Sequence, residues 1–233
     1  MKKLALTFLI ILFTLTSNVV WSADFNKGWE AFNSGDYATA FLEWVPLANQ
    51  GNTTAQYNLG YMYSEGLGVP ENDKTAVKWY TLAAENAYSS AQYNLGLAYY
   101  DGEGVPQDYK TAVKWYTLAA EQGHSKSQNN LGQMYRNGYG VIQNYSMALK
   151  YYVLAAEQGH AIGQANIALL YEEGLGVIQD NIYAHMWGNI AASNGQDAGS
   201  ILRDRVENNM TNADISVAQK LARECVAKNY KGC

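Results

Sequence analysis

The sequence predicts an all-α solenoid of tandem helix-turn-helix units, about five of them followed by C-terminal capping helices, on three observations. A 36-residue block recurs without gaps: windows 55–90 and 91–126 agree at 24 of 36 positions, and windows 127–162 and 163–198 continue the register. Within each block, apolar residues fall at three- and four-residue steps, the spacing of a helical stripe. A glycine-rich breaker separates two such stripes in every copy. A fixed period of this length marks stacked supersecondary units, each burying its apolar face only against its neighbours.

Residues 1–23 stand apart. Lys2 and Lys3 precede an apolar run from Leu4 to Leu15 that is broken only by Thr7 and Thr14, and small residues Ser22 and Ala23 follow Trp21. This is the layout of a secretory signal peptide cleaved after Ser22 or Ala23. The alternative is an uncleaved anchor, for which the core run is short of the ~20 residues a bilayer requires. No cysteine lies near the cut, so a lipid-anchored start is not expected. Cleavage takes the net charge from −5 to −7. An acidic surface disfavours nucleic acid, which calls for clustered Lys and Arg, and disfavours an anionic membrane. The expected location is the periplasm or beyond.

Residues 24–54 form a divergent first unit with Gly35-Asp36-Tyr37 and then Ala40 in place of the paired-glycine turn. The repeat itself is clearest in 91–126. Ala91, Leu95, Ala98 and Tyr99 make one helical stripe, and Asp101-Gly102-Glu103-Gly104 ends it, because glycine accepts the left-handed conformation that follows a helix C-terminus. Val105 is expected to tuck inward and Pro106 to fix the exit direction. A second helix is predicted from about Tyr109 to Glu121, burying Ala112, Val113, Trp115, Tyr116, Ala119 and Ala120 and turning Lys110, Lys114 and Glu121 outward. Truncation of a large buried aromatic such as Trp115 is expected to cost ~3–5 kcal/mol. His124 and His160 share one turn phase and read as exposed turn residues.

After Ala198 the period is lost. Residues 199–233 are expected to cap the stack, with a helix from Ile201 to about Asn209 and another that starts at a Thr211–Asp214 capping box and runs through Ala227. Its stripe is Ile215, Ala218, Leu221, Ala222 and Cys225. The only cysteines, Cys225 and Cys233, are most simply a disulfide in an exported chain, with a redox pair or half a metal site as alternatives.

These units resemble the Sel-one-like repeat (SLR) family of the tetratricopeptide superfamily. The resemblance rests on Ala55, Leu59-Gly60, Tyr63, Gly66-Leu67-Gly68-Val69, Ala76, Tyr80 and Ala83-Ala84, with the same pattern recurring 36 positions on from Ala91, where the turn reads Gly102-Glu103-Gly104-Val105, and, in part, in the fourth unit. It implies a right-handed superhelix whose first helices line a concave groove. The 24–54 unit is nearer the parent tetratricopeptide pattern, and the 163–198 unit carries Ile167-Ala168 for Leu-Gly and Gly188 for Tyr. Divergent ends are what a solenoid needs to hide its terminal faces.

Asn58, Asn94, Asn130 and Asn166 fall at one phase of the first helices, 36 residues apart. In the resembled family an asparagine at this phase can contact a bound peptide backbone, since an amide donates and accepts at once; packing against a neighbouring helix is the alternative. Around them the variable positions change from aromatic (Tyr57, Tyr61, Tyr93) through polar and basic (Gln133, Arg136) to acidic (Glu172). Tyrosine and arginine are common binding anchors. The expected partner is therefore a protein or peptide held by Tyr57, Asn58, Tyr61, Tyr93, Asn94, Asn130, Gln133, Arg136 and Asn166. No cofactor and no metal is expected: His185 is out of phase with His124 and His160, and no carboxylate follows at ligand spacing. The sequence displays no Gly-x-Ser-x-Gly elbow, phosphate loop or Ser-x-x-Lys. A non-catalytic adaptor in the bacterial envelope or in host contact is the leading reading. A cell-wall enzyme, or a peptidoglycan- or β-lactam-binding protein, is the alternative, weakened because the disulfide that some relatives carry in each repeat is absent.

Overall fold

The computed structural model describes residues 23–233; the predicted leader, apart from Ala23, lies outside the described residues. Twelve α-helices and no strands occur among those residues: α1 Phe25–Asn33, α2 Tyr37–Asn49, α3 Thr53–Glu65, α4 Asp73–Glu85, α5 Ser89–Asp101, α6 Tyr109–Glu121, α7 Ser125–Asn137, α8 Tyr145–Ala156, α9 Ala161–Glu173, α10 Asn181–Ser193, α11 Asp197–Glu207 and α12 Asn212–Ala227. None is long and apolar enough to cross a membrane. Each helix packs on the next as far as α11, and α12 returns onto α10, so the described residues form an all-α repeat solenoid with its end covered.

Alternation of two kinds of N-cap sets the helix starts. The second helices open on Asn72, Asp108, Asn144 and Asp180, each 36 residues on, whose side chains accept backbone N–H groups of the first turn. This satisfies donors that a helix leaves unpaired. The first helices close on Gly66, Gly102, Gly138 and Gly174 in the left-handed conformation, as predicted. The second glycine of each pair has a different task. At Gly104 (φ +70°), a Cβ would lie 2.5 Å from the carbonyl oxygen of Asp73, at the start of the preceding unit's second helix. It is therefore a stacking contact between units as well as a turn.

The core is segmented. Ala40, Trp44, Ala48, Ala55, Leu59 and Met62 form one buried cluster; Ala76, Tyr80, Ala83, Ala91 and Leu95 belong to the next; Ala112, Tyr116, Leu131 and Met134 to a third; and a larger one runs from Ala148 to Cys225. Small residues let the helices within a pair meet. Gly60, Gly96 and Gly132 lie flat on the rings of Tyr80, Tyr116 and Tyr152, where a Cβ would come within 2.6–2.7 Å of ring carbons. The fifth unit exchanges this pairing: Ala168 replaces the glycine, Gly188 replaces the tyrosine, and α11 approaches instead, bringing the Gly199 carbonyl 2.9 Å from a Cβ at Gly188.

Four buried glutamines stitch unit to unit. Gln56, Gln92, Gln128 and Gln164 each donate from Nε2 to the carbonyl of Ala48, Ala84, Ala120 and Ala156 at 3.0–3.3 Å. Their Oε1 atoms receive the amides of Gln122, Gln158 and Asn194 in the last three cases, at 2.7–2.8 Å. Gln56 Oε1 has no partner: Asn86, at the matching phase, donates to the carbonyl of Leu82 instead. Ala87, which follows it, holds φ +60° where the other units place glycine.

Three expectations need correction. Trp115 is only half-buried: it packs at the edge of the second core cluster, and Lys114 Nζ lies over its ring, 5.2 Å from the centroid. His124 and His160 are half-buried N-caps of α7 and α9, their Nδ1 atoms accepting from Ser127 N at 3.2 Å and Gly163 N at 3.1 Å. The helix expected from Ile201 begins earlier, at Asp197, and its added first turn packs Gly199 directly against Gly188 of α10. The Thr211–Asp214 capping box forms, and the stripe from Ile215 to Cys225 faces inward. Cys225 and Cys233 are disulfide-bonded with a Cα–Cα distance of 5.5 Å, pinning the tail near Tyr230, whose hydroxyl bonds Asn194.

Candidate functional site

The first helices present two depressions one repeat apart. The first, of about 190 Å³, is lined by Tyr61, Ser64, Glu65, Tyr80, Asn94, Leu97 and Ala98, with Asp73 and Glu103 at its rim. The second, of about 310 Å³, is lined by Leu97, Tyr100, Asp101, Tyr116, Asn130, Gln133 and Met134, with Tyr93. Every one of the seven core positions of the first recurs in the second exactly one 36-residue step later. The stacking that builds the fold thus builds the same hollow twice, with different side chains.

Helix packing places these groups. Tyr57 lies between Tyr80 (5.9 Å between ring centroids) and Tyr88 (5.0 Å), behind the first hollow. Asn94 lies beside the hydroxyls of Tyr57 and Tyr80, and Asn130 beside those of Tyr93 and Tyr116. Burial, more than any neighbour, pushes these phenols up, Tyr80 to about 12, so they are neutral hydrogen-bonding groups at physiological pH. Tyr80 Oη meets Ser64 Oγ at 3.1 Å. In the next unit Tyr100 stands at the serine's phase, and Tyr116 Oη, buried beside Asn130, makes no well-formed hydrogen bond.

Of the residues expected to line a groove, Tyr61 and Asn94 converge on the first hollow and Tyr93, Asn130 and Gln133 on the second. Asn58 is buried, with Nδ2 unpartnered, and lines neither. Asn166 is held by Asn129, Nδ2 to Oδ1 at 3.0 Å, a packing bond. Arg136 lies outside both hollows near Tyr152, and its charge offsets a little of the burial that raises that phenol to about 12. The acidic end expected at Glu172 is neutralised, since Arg205 of the capping helix α11 pairs with it.

Sequence reasoning placed Tyr116 in the packing face, Tyr80 in the repeat motif and Asp101 and Glu103 in the turn, and gave Glu65 and Asp73 no role, although all line the hollows. The signal for them is the 36-residue offset carried from the first helices onto the turns and second helices. Among the described residues no group of three or more His, Cys, Asp or Glu side chains converges as a metal site would require.

Comparison with known proteins places this architecture. The Sel1 repeat model matches residues 53–88, 89–124, 125–160 and 161–196, spans that start where α3, α5, α7 and α9 start. The crystal structure of a Sel1 repeat protein from Oxalobacter formigenes is similar at 32% identity and a TM-score of 0.73, over 84% of this chain and 85% of that one. The c5321 protein of uropathogenic Escherichia coli, a protective antigen displaying an SLR fold, is similar at 30% identity and a TM-score of 0.71. The match covers 86% of this chain but 48% of that antigen, so the chain spans about half its length. With four matched repeats and this fold, the chain belongs to the Sel1 repeat family.

Proposed function

We propose that this is an exported, non-catalytic binding protein that holds an extended segment of a partner protein or peptide along the face built by α3, α5 and α7. The observation that carries the reading is the duplicated hollow: two equivalent, tyrosine-rich sites at the repeat spacing suit a ligand that is itself a repeating chain. Rigid aromatic side chains give contact area at low entropic cost. The disulfide between Cys225 and Cys233 supports an oxidising compartment such as the periplasm, and the 24–54 and 199–233 segments act as end caps.

The test is crosslinking in the native cell followed by mass spectrometry, with wild type beside Tyr61→Ala/Gln133→Ala. Loss of the captured partner in the variant supports the groove; an unchanged capture, or hydrolysis of nitrocefin by the purified mature protein, overturns the reading. N-terminal sequencing of the mature chain tests export, with Ala23 or Asp24 as the expected first residue.

A further inference from the structure

We infer that the two hollows are cation subsites, each taking a Lys or Arg side chain from one extended basic segment of the partner. This rests on the groove reading above and names the chemistry of its ligand. No Lys or Arg lines either hollow, while Glu65, Asp73 and Glu103 surround the first and Asp101 borders the second. None of these four carboxylates is in an ion pair among the described residues. The walls between them are tyrosine faces, which attract a cation through the ring quadrupole. Asp101 bears on all three rings of the second hollow, raising the phenols of Tyr93, Tyr100 and Tyr116 further beyond the effect of burial. Rings and carboxylate therefore enclose one space.

An independent observation comes from Tyr116. Its side chain is 1% exposed and lines the second hollow, yet its hydroxyl, beside the Asn130 amide, makes no well-formed hydrogen bond. Its counterpart Tyr80 is satisfied by Ser64, whereas the equivalent position beside Tyr116 is Tyr100, which adds an aromatic wall and no such bond. The polar lining can accept at every point: the Asp101 carboxylate only accepts, and the Tyr116 hydroxyl and the amides of Asn130 and Gln133 can each accept as well as donate. A guanidinium, with five donors and no acceptor, is the side-chain group that matches such a set. One step further, Arg136 holds the phase of Ser64 and Tyr100. It would repel a third basic residue and so fix the register of the bound segment.

The experiment is fluorescence anisotropy of the mature protein with labelled Gly/Ser peptides carrying two arginines at varied separations, beside their glutamine and glutamate counterparts. The arginine peptides are expected to bind at least ~10-fold tighter than the glutamine series at low salt, and Asp101→Asn with Glu65→Gln to remove that advantage. Tyr116→Phe is expected to weaken arginine binding while leaving the melting temperature unchanged or higher, since it deletes an unsatisfied buried hydroxyl; a merely structural tyrosine would not separate the two readouts. If glutamine or glutamate peptides bind as tightly as arginine ones but are lost on Tyr61→Ala/Gln133→Ala, the cation assignment falls and the groove stands. If no peptide binds and the native partner crosslinks elsewhere, both fall.

Discussion

Gly96 lies flat against the ring of Tyr116, so close that a methyl group at the glycine would stand 2.6 Å from two ring carbons. The tyrosine is 1% exposed, held between α5 and its own helix. Gly96→Ala is therefore expected to cost ~1–3 kcal/mol by overpacking, even though alanine favours helix. Urea melts of the two proteins check this, and a neutral or stabilising result would mean the helices of a pair can spread.

The second unit carries two local defects that can be repaired. Ala87→Gly should relieve a left-handed alanine, and Asn86→Gln should supply the missing partner of Gln56 Oε1. Each change is expected to stabilise by about 0.5–1 kcal/mol. Differential scanning calorimetry of the single and double variants reads the gain; the double variant should exceed either single one.

The two tryptophans Trp44 and Trp115 should behave differently. Trp44 is fully buried and donates from Nε1 to Phe25 O at 3.3 Å, so Trp44→Ala is expected to cost ~3–5 kcal/mol. Trp115, half-buried beneath Lys114, should cost about half as much. Equal losses in chemical denaturation would contradict the burial assigned to Trp115.

Acid should weaken the stack well above the carboxylate range. Burial holds the imidazoles of His124, His160 and His185 below the ordinary 6.5. Such a group binds fewer protons folded than unfolded, so its contribution is complete above about pH 6.5 and is lost as pH falls from there through the folded value. The capping carboxylates of Asp36, Asp108 and Asp214 are held below 3.8 and act only in stronger acid. Melting temperatures between pH 8 and pH 5 are expected to fall for the wild type and to fall less for His124→Asn/His160→Asn, which keeps a capping side chain that does not titrate. A flat wild-type profile would remove the caps from this account.

Much of the fold was legible because the packing residues are the repeating ones: Ala91, Leu95, Ala112 and Tyr116 are buried where their spacing placed them. What escaped the sequence is polar. Gln92 and its equivalents fill buried positions that an apolar reading passes over, and their partners lie 30 residues away in the next turn of the stack. The pairing of Glu172 with Arg205 joins the last regular unit to a segment outside the period, so no repeat alignment could show it. Trp115 was misjudged because a stripe reports which side of a helix faces inward and not how deep each side chain sits. The hollows were half visible: their asparagines and outer tyrosines stood out, while the carboxylates were hidden in what looked like turn chemistry.

The glutamine seam bears on how such a molecule changes over generations. Because the joint between neighbours reuses the same handful of contacts, a gene that gains or loses one in-frame copy needs no newly invented junction. The reach of the molecule can lengthen or shorten by recombination, while each inherited copy stays free to drift toward a different ligand chemistry.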